Sequence, residues 1–260
     1  MSLFSDTYYL FVRAMKKLIR NPILLFFSLF QPIIFLLLFT QLFSKLASVG
    51  ILAGTGASTY IAFATPGILM QNAFSSSLQS GTSVVTDIET GYLQKMLVTP
   101  VNRSAILLGR LVTDAVRVII QSLIILTLAL ALGAEIVTGP IGLVLTLITI
   151  AFFGLAWSGI SLALGLKTKN TETVFSIGIF LTFPLLFVST ALMPLDFLPS
   201  WISTVSKFNP ISYTVNAVRA LALTGWSGSW GPLAADYLFV GGIAAVTLSS
   251  TLYLFRKTVT

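Results

Sequence analysis

The sequence predicts an all-α integral membrane protein with six transmembrane helices. Three observations predict it. The 260 residues are 56% hydrophobic and only 9% charged, with a mean hydropathy of +0.96. Soluble domains carry about a quarter charged residues, and no single soluble core could hide this much apolar surface. Six apolar runs are long enough to span a bilayer. The basic residues also fall almost entirely on one side of the six-span layout.

The first span is predicted over 23–43. At 1.5 Å rise per residue it reaches roughly 30 Å, the thickness of a bilayer core. The other five are predicted over 59–85, 111–132, 139–166, 173–192 and 233–255. Orientation follows from charge. Arg13, Lys16, Lys17 and Arg20 precede span one, and Lys95, Arg103, Arg110 and Arg117 lie in or beside the segment between spans two and three. Lys167 and Lys169 separate spans four and five, while Arg256 and Lys257 follow span six. The opposite side has only Lys45, Lys207 and Arg219. This asymmetry places both termini in the cytoplasm. It also makes the net charge of +7 a matter of topology rather than of nucleic-acid binding.

Before span one, Phe4, Tyr8, Phe11, Met15 and Leu18 share one helical face, with Asp6, Arg13, Lys17 and Arg20 opposite. A helix over 1–21, lying in the headgroup layer with its cations toward anionic membrane lipid, fits better than a plain basic flank. Asn21-Pro22 breaks it. The run that follows is too long for the apolar part of a cleaved signal.

The outer segment 193–231 is too polar to span and too apolar for a free loop. Pro199 suits the start of one short helix, with Trp201, Val205 and Phe208 aligned. Asn209-Pro210 caps a second, with Ile211, Val215 and Val218 aligned. These read either as short, re-entrant outer helices or as an interfacial hairpin anchored by aromatic rings.

Several chemistries are excluded. There is no cysteine and no histidine, which removes thiol chemistry and the commonest general base and metal ligand. No G-x-x-x-x-G-K-[ST] stretch occurs, so this chain alone is not a P-loop ATPase, and no cofactor is expected on it. Central span positions are expected to lack charge. Asp114 and Arg117, three apart early in span three, can neutralise each other. Gly154, Ser158, Gly159 and Ala163 allow close helix contact in span four. Pro184 is expected to kink span five. Gln31, Gln71, Asn72 and Gln121 either line a pathway or bond neighbouring helices.

Against this apolar background, residues 87–110 stand out as polar. Thr86-x-x-Glu89 has the form of a capping box. Leu93, Met96 and Leu97 then make an i, i+3, i+4 apolar patch beside Gln94 and Lys95, while Arg103 and Arg110 lead into span three. Such a short amphipathic helix lies on lipid or plugs into a partner, and its chemistry alone leaves both open.

The stretch "DIETGYLQKMLVTPVNRSAILLGRLV", on a six-span layout, resembles the membrane subunit of ABC-2 type exporters. The matching positions are Glu89, Gly91, Leu93, Leu97, Val98, Thr99, Pro100, Val101 and Arg103. A second stretch, with Pro184, Ser189, Pro194, Leu198, Pro199, Asn209, Pro210 and Arg219 in step, is similar to the family's segment from span five through the outer helices. The nearest likeness is to drug, antibiotic and lipo-oligosaccharide exporters. The resemblance implies a single ABC-2 type transmembrane domain over 1–260. It implies a cytoplasmic coupling helix within 87–110 that docks on a separate ATPase subunit through Glu89, Gly91, Tyr92, Leu93, Lys95, Met96, Leu97 and Arg103. Two ATPase subunits, carrying ATP and Mg, would work with this chain and a second permease subunit, identical or not, in the plasma membrane. The pathway is expected between the two permeases, lined from spans two and five by Gln71, Asn72, Phe74, Phe180 and Phe183, for an amphipathic drug, lipid or glycolipid. An ion-gradient-driven transporter or channel and a non-transporting scaffold are the alternatives.

Overall fold

A computed structural model describes residues 3–48, 52 and 55–259. The side chains of Lys45, Arg256 and Lys257, used above for orientation, lie outside the described ones. Every element among the described residues is helical. α1 (Leu3–Ile19) ends just before Asn21, and Pro22 opens α2 (Pro22–Ser48), because a first-turn proline gives up only an N–H that would be unpaired anyway. α3 (Tyr60–Glu89) starts at Thr59, whose Oγ1 accepts from the Ala62 N–H. A six-residue helix, α4 (Tyr92–Leu97), precedes α5 (Arg103–Ala131), which Asn102 caps by accepting from the Ser104 N–H at 3.0 Å. α6 (Gly139–Thr168) and α7 (Thr171–Phe187) follow.

α7 stops five residues short of the predicted span end at 192. Pro184 lacks an N–H, and the helix closes one turn later with the Val188 N–H bonded to the Pro184 carbonyl. A 3₁₀ turn (Leu195–Phe197), α8 (Ser200–Ser206) and α9 (Pro210–Arg219) make the outer segment, followed by a π-helical turn (Ala220–Thr224) and α10 (Trp226–Val259). Asn209 caps α9 as predicted: its Oδ1 accepts from the Ile211 N–H, and its Nδ2 donates to the Leu185 and Val188 carbonyls. The two short helices differ. α8 exposes Trp201 and Val205, with Phe208 exposed in the turn that follows, whereas α9 buries Ile211, Val215 and Val218 in the main core.

Among the described residues, four helices are long and apolar enough to cross a membrane by length and composition: α2, α5, α6 and α10. α7 is apolar but shorter. α3, at 30 residues, is long enough but interrupted by Ser75, Ser76, Ser77 and Ser80.

α3 and α6 form the centre, with α2, α5, α7 and α10 around them. Their crossing is close because small residues let the backbones approach. Ser77 donates to the Gly154 carbonyl at 2.9 Å, and Ser161 to that of Leu78 at 3.1 Å. A Cβ on Gly165 would meet the Gly81 carbonyl at 2.6 Å. Phe74 of α3 packs edge-on to Phe153 and Trp157 of α6 at 5.0 and 4.5 Å. On the far face of α6, Thr247 and Thr251 of α10 donate to the Ala156 and Gly159 carbonyls. The predicted small residues Gly154 and Gly159 thus serve contacts with α5, α3 and α10 of the same chain.

Two charged side chains outside the central positions of the predicted spans make internal contacts. Asp236, eleven residues into α10, is completely buried and accepts from the Thr214 hydroxyl of α9. Arg219 is not a free outer charge. It stacks 4.0 Å over the Phe63 ring and donates to the Thr190 carbonyl at 2.8 Å, tying α9 to α3 and to the turn after α7.

Candidate functional site

The polar segment 87–110 is a helical hairpin braced from one side. α3 runs through Glu89, so Thr86 is no cap. Its hydroxyl donates back to the Thr82 carbonyl, and its own carbonyl accepts from the Thr90 N–H. The capping-box reading is therefore wrong. The pattern falls inside a helix whose apolar periodicity continues through Val84, Val85 and Ile88. The turn comes at Gly91, where φ is +68°, a conformation open to glycine at little cost.

α4 then lays its apolar stripe inward. Leu93 is 3% exposed, and Met96 and Leu97 are half-buried, in a cluster with Val84, Val85, Ile106, Leu107 and Leu166. The i, i+3, i+4 patch expected to face a partner is thus the helix's own anchor to the bundle. The outward surface is Glu89, Gln94, Lys95, Val98, Thr99 and Pro100, with Val98 86% exposed and Arg103 exposed at the start of α5.

Three contacts hold this hairpin. Arg110 of α5 pairs with Asp87 of α3 and also donates to Ser83. The Arg13 guanidinium of α1 lies 4.0 Å over the Tyr92 ring. Asp6 of α1 accepts from the Asn102 N–H at 3.0 Å. Asp6, expected on the charged face opposite the apolar one, is 4% exposed. α1 docks against α5 at Gly109, where a Cβ would sit 2.9 Å from the Leu10 Cβ and 3.2 Å from the Thr7 carbonyl. Of the expected apolar face, Phe4 and Tyr8 are exposed, Phe11 and Met15 half-buried, and Leu18 buried.

A second feature lies between α3 and α7. A groove of about 270 Å³ is lined by Gln71, Ser75, Gln79 and Thr82 of α3, by Phe175, Ile179, Thr182 and Phe183 of α7, and by Gln31 of α2. No charged side chain lines it. Of the residues expected on a pathway, Gln71, Phe183 and Gln31 line this groove. Asn72 and Phe74 do not: both are about 1% exposed or less, and Phe74 packs on α6. Phe180 points outward at 75% exposure. Gln121 bonds Ser28 of α2. Sequence reading missed Ser75, Gln79 and Thr82, although Gln71, Ser75 and Gln79 recur every four residues and mark one helical stripe.

Behind the groove, Arg117 and Asp114 of α5 pair as their spacing predicts. Arg117 also donates to Gln79 Oε1 at 2.6 Å and to the Ser76 carbonyl at 3.2 Å.

Comparison with known proteins adds an independent finding. The ABC-2 type transporter family matches this chain over residues 5–223. A protein from Cyanophora paradoxa named as a transport permease, ycf38, is 35% identical over 223 residues, covering 83% of this chain and 73% of the relative. A daunorubicin resistance ABC transporter permease protein, DrrB1, from Streptomyces coeruleorubidus is 30% identical over 245 residues, covering 94% of this chain and 84% of the relative.

Proposed function

This chain belongs to the ABC-2 type transporter family, and on that premise we propose that it is the membrane-spanning subunit of an ATP-driven exporter. Six spans carry it across the plasma membrane, α3 and α7 joining the four helices that qualify by length and composition. Both termini and the 87–110 hairpin face the cytoplasm, in keeping with the basic asymmetry.

The observation that carries the reading is the built hairpin. α4 buries its apolar stripe in its own bundle, is clasped by α1, and leaves a compact outward face around Lys95 and Val98. A surface helix held this stiffly moves as a body with α3 and α5, so force applied to it reaches the bundle rather than bending a loop. A separate pair of ATPase subunits, carrying ATP and Mg, supplies that force. The contact is made by Glu89, Lys95 and Arg103 of the expected set together with Val98, and Leu93, Met96 and Leu97 act from beneath by holding α4 in place. A second permease subunit completes the pathway, and the groove between α3 and α7 contributes its wall. The cargo is an amphipathic drug, lipid or glycolipid, and the drug-resistance name of the DrrB1 relative supports the first of these.

The test is Val98→Glu in the complex reconstituted in liposomes. It adds charge to an exposed position that supports no internal packing, so the permease folds. Binding of the ATPase subunit is expected to fall about tenfold, as for loss of one interface anchor, and ATP-dependent movement to fall with it. Full binding and transport by Val98→Glu removes α4 as the docking element.

A further inference from the structure

The groove pairs two unlike walls. On α3 the stripe is polar, from Gln71 through Ser75 to Gln79. On α7 it is mostly apolar, from Phe175 through Ile179 to Phe183. Two details specify what the polar part reads. Arginine can only donate, so its 2.6 Å contact fixes Gln79 with its oxygen turned to Arg117. The amide nitrogen, with both of its N–H donors, is thereby left for the groove. A cation on the carbonyl oxygen also polarises the amide and strengthens those donors. On the opposite wall Thr182 is 8% exposed, and its buried hydroxyl has no hydrogen-bond partner. Threonine within a helix ordinarily bonds the carbonyl one turn back, as Thr113 and Thr168 do here. A buried hydroxyl left unpaired costs stability, and a groove ligand is the direct way to satisfy it.

Charge narrows the choice further. No carboxylate lines the groove. Behind Gln79, the Asp114 carboxylate is bonded to Arg117, whose guanidinium bridges it to Gln79. An ammonium entering beside Gln79 would therefore meet its amide N–H groups, with the carboxylate behind them already paired to Arg117, and lose its water without gaining a counter-ion.

We propose that Gln79 and Thr182 select uncharged, oxygen-bearing amphiphiles: molecules presenting a carbonyl, ether or glycosidic oxygen beside an apolar ring or chain, in preference to cationic amines. Gln79 donates to the oxygen, Thr182 completes the polar contact, and Phe175, Ile179 and Phe183 take the apolar part. Arg117 is a positioning residue that acts through Gln79. This selection rests on the exporter reading for its biological use, but its chemistry is testable without transport.

The experiment is equilibrium binding to the full permease–ATPase complex in phosphatidylcholine nanodiscs, read by fluorescence anisotropy. Two probes share one tagged acyl chain and differ in head group: a monoglucosyl diacylglycerol and a trimethylammonium amphiphile. Wild type is expected to bind the glucosyl probe about tenfold more tightly. Gln79→Glu keeps an acceptor for Arg117 but offers no N–H to the groove, and is expected to abolish that preference. Thr182→Val, close to isosteric and on the other wall, is expected to reduce it severalfold. Co-elution with the ATPase subunit monitors assembly of each variant. Equal binding of the two probes by wild type overturns the proposal, as does an undiminished preference in both variants. ATP-driven movement of the glucosyl probe is scored separately: a preserved preference with no movement would count against the exporter and leave the selection standing.

Discussion

Gly81→Ala tests the packing on which any transmitted movement depends. The added Cβ would lie 2.3 Å from the Ser161 carbonyl oxygen and 2.4 Å from its hydroxyl. Ordinary contact begins near 3.4 Å, so α3 and α6 must part by about 1.1 Å at their crossing. The obstacle is backbone, which cannot swing aside as a side chain can. Overpacking of this kind costs about 2 kcal/mol. Parting the helices also stretches the Ser161 bonds to the Gly81 N–H and the Leu78 carbonyl, both 3.1 Å, at roughly 1 kcal/mol more. Alanine returns about 1 kcal/mol through its better helix propensity. The net loss is about 2 kcal/mol, close to thirtyfold in the unfolding constant. The assay is reversible unfolding in mixed micelles, followed by tryptophan fluorescence, since Trp157 lies one turn before Ser161 on α6. Gly242→Ala is the control, because a Cβ there has nothing within 4 Å; it should be neutral or slightly stabilising. Equal stability of Gly81→Ala and wild type would refute the close crossing, and so would an equal loss in the Gly242 variant.

Two further predictions concern the charged ties. Arg219→Ala removes the Thr190 bond and the stacking on Phe63 and should lower stability by about 3 kcal/mol; Arg219→Lys should recover only part of this, because an ammonium has no planar face to stack. The same unfolding assay decides, and no loss in the alanine variant contradicts the tie. Asp87→Asn breaks the pair with Arg110, whose side chains are 14% and 16% exposed, at roughly 1–2 kcal/mol. Amide hydrogen exchange should then accelerate across 88–103 while α6 stays protected; uniform acceleration, or none, would show that the pair does not hold the hairpin.

The long elements were legible because apolar run length and proline and asparagine punctuation are local signals. Asn21-Pro22 and Asn209-Pro210 fall where the chain turns. The Asp114–Arg117 pair needed only helical spacing. Errors came where a pattern has two meanings. Thr86-x-x-Glu89 looks like a cap, but the same letters fit inside a helix, and only the continued burial of Val84 and Val85 distinguishes the two. The Leu93, Met96, Leu97 stripe shows that α4 has an apolar side, without saying whether a partner or its own bundle covers it. Sequence spacing puts Asp6 on the charged face of its helix and Arg219 on the outer side, but it cannot name their partners, an Asn102 N–H and a Thr190 carbonyl far along the chain. Asp236 was passed over because it lies close to the predicted start of its span, at 233, whereas α10 begins at Trp226. The groove was half legible. Its helices were expected, but Phe74 and Phe180 lie on the wrong sides of theirs, since a helical face is fixed by neighbours that one sequence does not reveal.

The chain contains no cysteine, so a single one introduced at Val98 reports on its own surroundings. In right-side-out vesicles of the assembled complex, Val98→Cys should resist a membrane-impermeant maleimide. After permeabilisation it should react, and in sealed inside-out vesicles a bifunctional thiol–amine reagent should link it to the ATPase subunit, with ATP-driven transport stopping as the link forms. Labelling from the outer face, or export that continues unchanged through the link, would contradict the claim that nucleotide energy enters this chain through the 87–110 hairpin.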